Sequence, residues 1–263
     1  MVRVENFTVK ANDGAELLKN ITLTIPKGTV TGLTGASGSG KTTLLRAIMG
    51  NLAPNHKIIN GTVFIDDIDI KGLSKKEHRH LCGTTIGYIP QSPMTAFDKR
   101  MTIGKQLTEV LCFKQKINKL QAKEVLCEKL KEFNFDDPPR ILKSYPDQLS
   151  GGMLQRITVA LLLILSPDYI LADEATSALD EKNIAQLINI LKVESEHRGI
   201  LFVSHDVRAM EKLCQNIVVM QNGEIVETGS FDELVESPKC LWTKNFSSLY
   251  KNSKEEDWLW QEL

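Results

Sequence analysis

The run Gly35-Ala36-Ser37-Gly38-Ser39-Gly40-Lys41-Thr42 constrains this chain more than any other stretch. Thr29 to Thr34 before it reads as a buried strand, and a helical pattern follows from about Lys41 to Met49, stopped by Gly50-Asn51. A glycine turn between a strand and a helix start is a phosphate cradle. Its glycines let backbone N–H groups approach phosphate oxygens without Cβ interference, and the helix N-terminus adds a favourable dipole. In that setting Lys41 is expected to bridge the β- and γ-phosphates of a nucleotide. The Thr42 hydroxyl is expected to ligate Mg²⁺, and Thr43 to contact the α-phosphate.

Around this loop the chain keeps a strand–turn rhythm. Val2, Val4, Phe7 and Val9 alternate as in a strand, which breaks at the hairpin signal Asn12-Asp13-Gly14. Ile21 to Ile25 reads as a second strand ended by Pro26-Lys27-Gly28, and Val63 to Ile65 as another with Asp66-Asp67 as its turn. Ile86 to Ile89 is a strand that delivers Gln91 at its end. From Ser92 to about Leu165 charged helical stretches take over: Gln106 to Phe113, Lys119 to Phe133, and a buried helix over Ile157 to Leu165. Strands return at Tyr169 to Ala172 and Ile200 to Val203, with a helix over Asn183 to Lys192 between them. A closing hairpin turns at Gln221-Asn222-Gly223. Alternating strands and helices imply an α/β fold with a largely parallel sheet.

Two carboxylates, Asp173-Glu174, end an apolar strand and should emerge at the sheet edge that faces the phosphates. Asp173 suits holding Mg²⁺ through water, and Glu174 suits polarising the attacking water as a general base. Gln91 and His205 also end strands. Leu149-Ser150-Gly151-Gly152-Met153-Leu154-Gln155-Arg156 places a serine hydroxyl and bare glycine N–H groups at a helix start, a second surface suited to phosphate.

Bulk properties bound the setting. The 263 residues suffice for one large α/β domain or a core with a subdomain. The formal net charge of −1 gives no general electrostatic reason to bind nucleic acid or an anionic surface. Met1-Val2-Arg3-Val4-Glu5 lacks the layout of a secretion signal, and no run approaches the ~20 apolar residues that span a bilayer. Cys82, Cys112, Cys127, Cys214 and Cys240 contain no C-x-x-C pair and suit reduced thiols. A soluble intracellular protein is expected.

Taken in order, the glycine loop, Gln91, the Ser150 motif, Asp173-Glu174, Ser177-Ala178-Leu179-Asp180 and His205 resemble an ATP-binding-cassette nucleotide-binding subunit over essentially the whole chain. The resemblance implies a P-loop core over residues 1–91 and 166–230, with an N-terminal antiparallel β-subdomain. It also implies an inserted helical subdomain over 92–165 and a helical tail over 231–263. ATP and Mg²⁺ are the implied ligands. Gly35, Ala36, Ser37, Gly38, Ser39, Gly40, Lys41, Thr42 and Thr43 then hold the nucleotide, and Thr42, Gln91 and Asp173 the metal. By the same resemblance Gln91 links Mg²⁺ and water to the helical subdomain, and His205 contacts the γ-phosphate. Asp180 communicates across a dimer, and Ser150, Gly151 and Gly152 reach the partner's γ-phosphate. Such a chain is half of a two-site machine.

Ser144 to Arg156, with Met153-Leu154 in it, Pro90 to Phe97 and Met101 to Gln106 look like the oligopeptide/dipeptide/nickel importer group. The length, without a cysteine-bearing tail, is similar to the nickel-type subunits. Nickel or metal-chelate import is therefore the expected task, and peptide import the alternative. The implied partners are a second ATPase subunit, favoured as a heterodimer, two transmembrane permeases and, indirectly, a solute-binding protein. The implied place is the cytoplasmic face of the membrane. A soluble ATP-driven clamp on DNA is the competing class, but no sustained heptads separate Lys41 from Ser150. A silent regulatory subunit is opposed by the intact Glu174, His205 and Ser150.

Two positions depart from the family pattern. No aromatic lies within Lys10 to Ala15 to stack on adenine, and Ala175 follows the acidic pair where proline is commoner. Met94, Phe97 and Met101 suit a socket for a helix of a membrane subunit, with simple packing as the other reading. Trp242, Trp258 and Trp260, with Leu259 and Leu263, read as packing an end helix.

Overall fold

The computed structural model describes residues 1–177 and 179–261, with side chains through Asn252. Ala178, Leu263 and the side chains of Trp258, Leu259 and Trp260 lie outside that description. Two compact units emerge: Met1–Leu73 with Leu187–Leu263, and Ser74–Gln186.

The first unit begins with β1 (Val2–Ala11) and β2 (Glu16–Ile25), an antiparallel pair. Its turn is set by Gly14 at φ 89° and by Asp13, whose carboxylate accepts the Ala15 N–H at 3.0 Å. Val2, Val4, Phe7 and Val9 are buried, as the alternation requires, but the register shifts where Asn6 takes φ 47°. After β3 (Thr29–Gly35) and α1 (Lys41–Ile48) comes β4 (His56–Ile65), antiparallel to β1 with Val2 opposite Ile65. The left-handed Asp66 and Asp67 turn it into β5 (Ile68–Asp69), completing a sheet ordered β2-β1-β4-β5. Only the end of β4 was readable from sequence. Its first half is largely exposed and so shows no buried alternation.

The second unit opens on α2 (Lys75–Thr84), a helix the apolar pattern does not announce because only Leu81 in it is buried. Its start is nevertheless built in: Ser74 and Glu77 form a reciprocal capping box. Then follow β6 (Ile86–Ile89), α3 (Ile103–Gln115), α4 (Lys119–Glu132), α5 (Pro138–Lys143), α6 (Gly151–Leu165) and β7 (Tyr169–Asp173). Helices α3 and α4 bury one stripe each, Ile103, Leu107 and Leu111 on the first and Ala122, Leu126 and Leu130 on the second. Strand β7 is buried along its whole length and runs parallel to β6, from Tyr169 opposite Ile86 to Ala172 opposite Ile89. The division between units falls within α7 (Glu181–Ser195).

The chain then returns to the first unit through β8 (Gly199–Val203), α8 (Val207–Leu213), β9 (Asn216–Gln221), β10 (Glu224–Gly229), α9 (Phe231–Glu236) and α10 (Leu241–Gln261). Strand β3 lies between β8 and β9, parallel to both, and β10 closes the edge as a hairpin through Asn222 and Gly223. Fully buried Phe202, Ile200 and Val219 on these strands each contribute about 1.5–3 kcal/mol by leaving water. Gly32 keeps β3 close to α8, since a Cβ there would lie 2.9 Å from both Met210 Sδ and Cys214 Sγ. Burial pushes the Cys214 thiol up to about 12. Phe231 packs edge-on against Phe246 and Tyr250, and Trp242 stacks on Phe246 one turn on in α10 at 5.3 Å.

Candidate functional site

In the first unit the parallel register, Leu33 opposite Val203, brings two chain exits to the same carboxyl edge of the sheet. One exit is the glycine loop after β3, the other Ser204-His205 after β8. The loop has little freedom where it leaves β3. Gly35 sits at φ 138°, and a Cβ there would fall 2.0 Å from the Met220 carbonyl oxygen. Gly40 sits at φ 104° against the Leu17 carbonyl. The turn of the β9–β10 hairpin holds the loop from the side: Gly223 donates its N–H to the Ser39 carbonyl at 3.0 Å, and its own carbonyl accepts from Lys19 N at 2.8 Å. A Cβ on Gly38, by contrast, would meet no described atom within 4 Å.

The charge pattern of the loop suits an anion. Helix α1 starts at Gly40 with no side-chain cap and no acid in its first turn, so its leading N–H groups face outward with the positive end of the dipole. Lys41 is only 7 % exposed, and its Nζ folds back over the loop to donate to the Gly35 carbonyl at 2.8 Å and the Ala36 carbonyl at 3.0 Å. The Ser39 hydroxyl is buried without a hydrogen-bond partner. Thr42 is exposed and Thr43 half-buried. His205 is exposed; beside it Ser204 Oγ accepts the Asp206 N–H, and Asp206 caps α8 through Arg208 N and Ala209 N.

In the second unit β6 and β7 bring Gln91 and Asp173-Glu174 to one edge. Asp173 is buried and accepts a hydrogen bond from the Tyr88 hydroxyl at 3.0 Å. Gln91 Nε2 donates directly to Glu174 Oε2 at 2.5 Å, a pairing that nothing in the sequence indicated. Glu174 occupies the left-handed region at φ 46°, where its carbonyl is fixed by the N–H and hydroxyl of Ser177. Such a conformation in a residue other than glycine costs about 1–3 kcal/mol and concentrates at functional positions.

The second phosphate-suited motif lies in this unit as well. Ser150 caps α6, its hydroxyl accepting the Met153 N–H at 3.2 Å. Among the described residues nothing lies within 4 Å of a Cβ built on Gly151, and one built on Gly152 meets Leu179 at 3.7 Å. Asp180 accepts both the N–H and the side-chain amide of Asn183 at the start of α7. Two residues of the sequence motifs gain a role only from the structure. Gln155, 1 % exposed in α6, donates to the Ala175 carbonyl just beyond the acidic pair. Gln106 pins the segment after Gln91, accepting from Asp98 N and donating to the carbonyls of Asp98 and Met101. Both are buried or half-buried amides inside apolar helices, a signal that marks a required hydrogen bond. Met94, Phe97 and Met101 of the segment after Gln91 are half-buried.

The ABC transporter family profile matches residues 18–177. The chain belongs to that family. It is 33% identical over 228 residues to the oligopeptide transport ATP-binding protein OppD of Lactococcus lactis subsp. cremoris, covering 86% of this chain and 68% of that protein. To the metal-staphylopine import system ATP-binding protein CntD of Staphylococcus aureus it is 34% identical over 237 residues, covering 89% of this chain and 87% of the relative. Among solved structures, the dimeric ATP-binding cassette MJ0796 in a post-hydrolysis state bound to ADP and Pi superposes with a TM-score of 0.77 at 28% identity. The match spans 88% of this chain and 99% of the cassette. As in the ABC ATPase fold generally, antiparallel and parallel sheets are joined to helices, and the chain binds ATP. Among the described residues no helix is long and apolar enough to cross a membrane.

The residues also fit the ligands. An uncapped helix start, a folded-back lysine and the orphan Ser39 hydroxyl are matched by phosphate oxygens. Gln91 and Asp173 in the second unit, and Thr42 by itself in the first, offer oxygen ligands of the hard type that Mg²⁺ takes beside a phosphate.

Proposed function

We propose that this protein is the ATP-hydrolysing subunit of a multi-subunit importer, working at the cytoplasmic face of the membrane as one of two cassettes. The observation that carries this reading is the pairing, in one chain, of an anion-ready glycine loop with a second uncovered glycine helix start at Ser150. The dimeric, ADP-bound relative supports the view that the two surfaces serve different nucleotides.

The glycine-loop N–H groups and Lys41 bind and orient the triphosphate, cancelling its charge. Thr42, Gln91 and Asp173 hold Mg²⁺, which when bound neutralises charge on the phosphate oxygens. Glu174 takes a proton as water oxygen attacks the γ-phosphorus in line; the bond to the β–γ bridging oxygen breaks, and ADP carries that oxygen away. His205 donates to the γ-phosphate. Ser150, Gly151 and Gly152 cover the nucleotide held by the other cassette, with Asp180 at the same junction. With no aromatic in Lys10 to Ala15, the loop Ala11-Asn12-Asp13-Gly14 offers adenine only backbone and small side chains, so phosphate contacts carry more of the affinity.

Partners on this reading are a second, different ATPase subunit and two permeases. The cargo is a small metal complex, as named for one relative, and oligopeptide is the alternative because another relative is named for it. A mixed-dimer assay tests the core of the proposal. Ser150→Arg in one cassette should abolish turnover of the nucleotide held by the other, while Lys41→Ala abolishes binding in its own. Full-speed hydrolysis by an isolated protomer, unchanged by dilution, would overturn it. Uptake of labelled nickel against labelled tetrapeptide, in cells with and without this subunit, separates the two cargoes.

A further inference from the structure

The end of the second unit where α3 turns into α4 has a composition unlike the rest of the chain. Across a chain of net charge −1, the run Val110 to Lys123 carries Lys114, Lys116, Lys119 and Lys123 and no acid; Glu109 and Glu124 flank it on either side. Arg79 and His80 come to the same place, because Lys114 Nζ donates to both of their carbonyls, and to that of Cys82, at the end of α2. That contact fixes the apex. Lys116, the α3 cap at φ 55°, bends the chain sharply, and Asn118 caps α4 through Leu120 N and Gln121 N.

Within this basic apex stand two large apolar side chains that folding leaves in water. Phe113 is 63 % exposed in the last turn of α3, and Leu120 is 68 % exposed in the first turn of α4. Apolar contacts inside the unit were available to both helices, whose other stripes are buried. Exposed Phe113, with Lys114 Nζ over its ring at 5.8 Å, and exposed Leu120 in a lysine-rich turn match the interface of an anionic bilayer. There the rings and branched chains sit at the headgroup–acyl boundary and the cations meet phosphate.

We propose that the α3–α4 apex contacts an anionic phospholipid surface directly, with Phe113 and Leu120 entering the interface and Lys116, Lys119, Lys123 and Arg79 meeting the headgroups. The contact goes beyond the importer reading and does not depend on it, since it needs neither nucleotide nor permease. The occupant is a lipid surface rather than a protein helix because the complement required is a broad sheet of negative charge around two shallow apolar probes. A charge spread over α2, α3 and α4 is not matched by a single groove.

The purified full chain, sedimented with phosphatidylglycerol–phosphatidylcholine vesicles, should partition to them and not to phosphatidylcholine vesicles, and raised salt should weaken the binding. Each lysine contributes about fivefold, so Lys116→Gln with Lys119→Gln and Lys123→Gln should lower partitioning on the order of 100-fold. Phe113→Ser with Leu120→Ser should lower it at low salt too, where charge alone is strongest. ATP binding by every variant reports that the fold is intact. Failure to bind anionic vesicles, or binding that these variants leave unchanged, overturns the proposal. So does a result in which the variants lose co-purification with permeases while the wild type ignores vesicles, which would make the apex a protein-docking surface.

Discussion

Gln155 Nε2 donates to the Ala175 carbonyl at 3.2 Å inside the second unit, tying the helix that Ser150 caps to the backbone that follows Asp173-Glu174. Any tilt of α6 is thereby transmitted to the segment holding the acidic pair, because both ends of the bond are buried and no water can replace it. Gln155→Leu keeps most of the volume and removes the bond. It should lower kcat about 10- to 100-fold, the cost of misplacing a reacting group by an ångström, with the KM for ATP little changed. A steady-state ATPase measurement separates this from a folding defect, which would reduce both binding and turnover.

The Gln91 amide donates to one Glu174 oxygen at 2.5 Å. Glu174→Gln should retain ATP binding and cut turnover by ~10²–10⁴-fold, the range of a lost general base. Gln91→Ala removes that hydrogen bond and an oxygen donor for Mg²⁺, so its deficit should shrink as Mg²⁺ is raised, whereas that of Glu174→Gln should not. Titrating Mg²⁺ in ATPase assays of the two variants checks the distinction.

The sequence was most legible where local chemistry dictates local structure. The strand over Thr29 to Thr34, the start of α1 at Lys41, the Asn12-Asp13-Gly14 turn and the Asn222-Gly223 hairpin all follow from residues within a few positions. What α2 and the first half of β4 lack is apolar periodicity: α2 buries only Leu81 behind its Ser74–Glu77 capping box, and half of β4 faces outward. What stayed hidden in the site was long-range. Gly223 to Ser39, Gln91 to Glu174 and Gln155 to Ala175 each join residues distant in the chain. No periodicity encodes such pairings. The left-handed Glu174 was equally unreadable, since glutamate carries no preference for that conformation.

Gly35 is the glycine whose replacement has the least room. A methyl group there would meet the Met220 carbonyl at 2.0 Å and would also have to accept φ 138°. The nearest atoms are all Met220 backbone, so no flexible side chain can move aside. Gly35→Ala should therefore destabilise the fold by about 2–4 kcal/mol and remove nucleotide binding. Gly38→Ala, with nothing within 4 Å but φ 76°, should cost about 1 kcal/mol in stability while still impairing ATP binding. Urea denaturation paired with nucleotide titration would show the split.

Glu227 on β10 holds the start of α10. Its buried carboxylate accepts from the Thr243 hydroxyl at 2.6 Å and from the N–H groups of Lys239 and Cys240 at 3.0 and 3.1 Å. Burial alone would raise its pKa, but the hydrogen bonds from Thr243, Cys240 and Lys239 outweigh burial and hold it below the ordinary value of 4.5. A carboxylate depressed in the folded state stabilises above its unfolded pKa, and that stabilisation fades as pH falls through the folded value. Glu227→Gln, which turns an acceptor into a donor facing N–H groups, should cost about 1–3 kcal/mol at pH 7. The gap between wild type and variant should close progressively below pH 4.5. Urea midpoints measured from pH 7 downward test this, and a gap that stays constant into acid would show that Glu227 charge does not anchor the C-terminal helix.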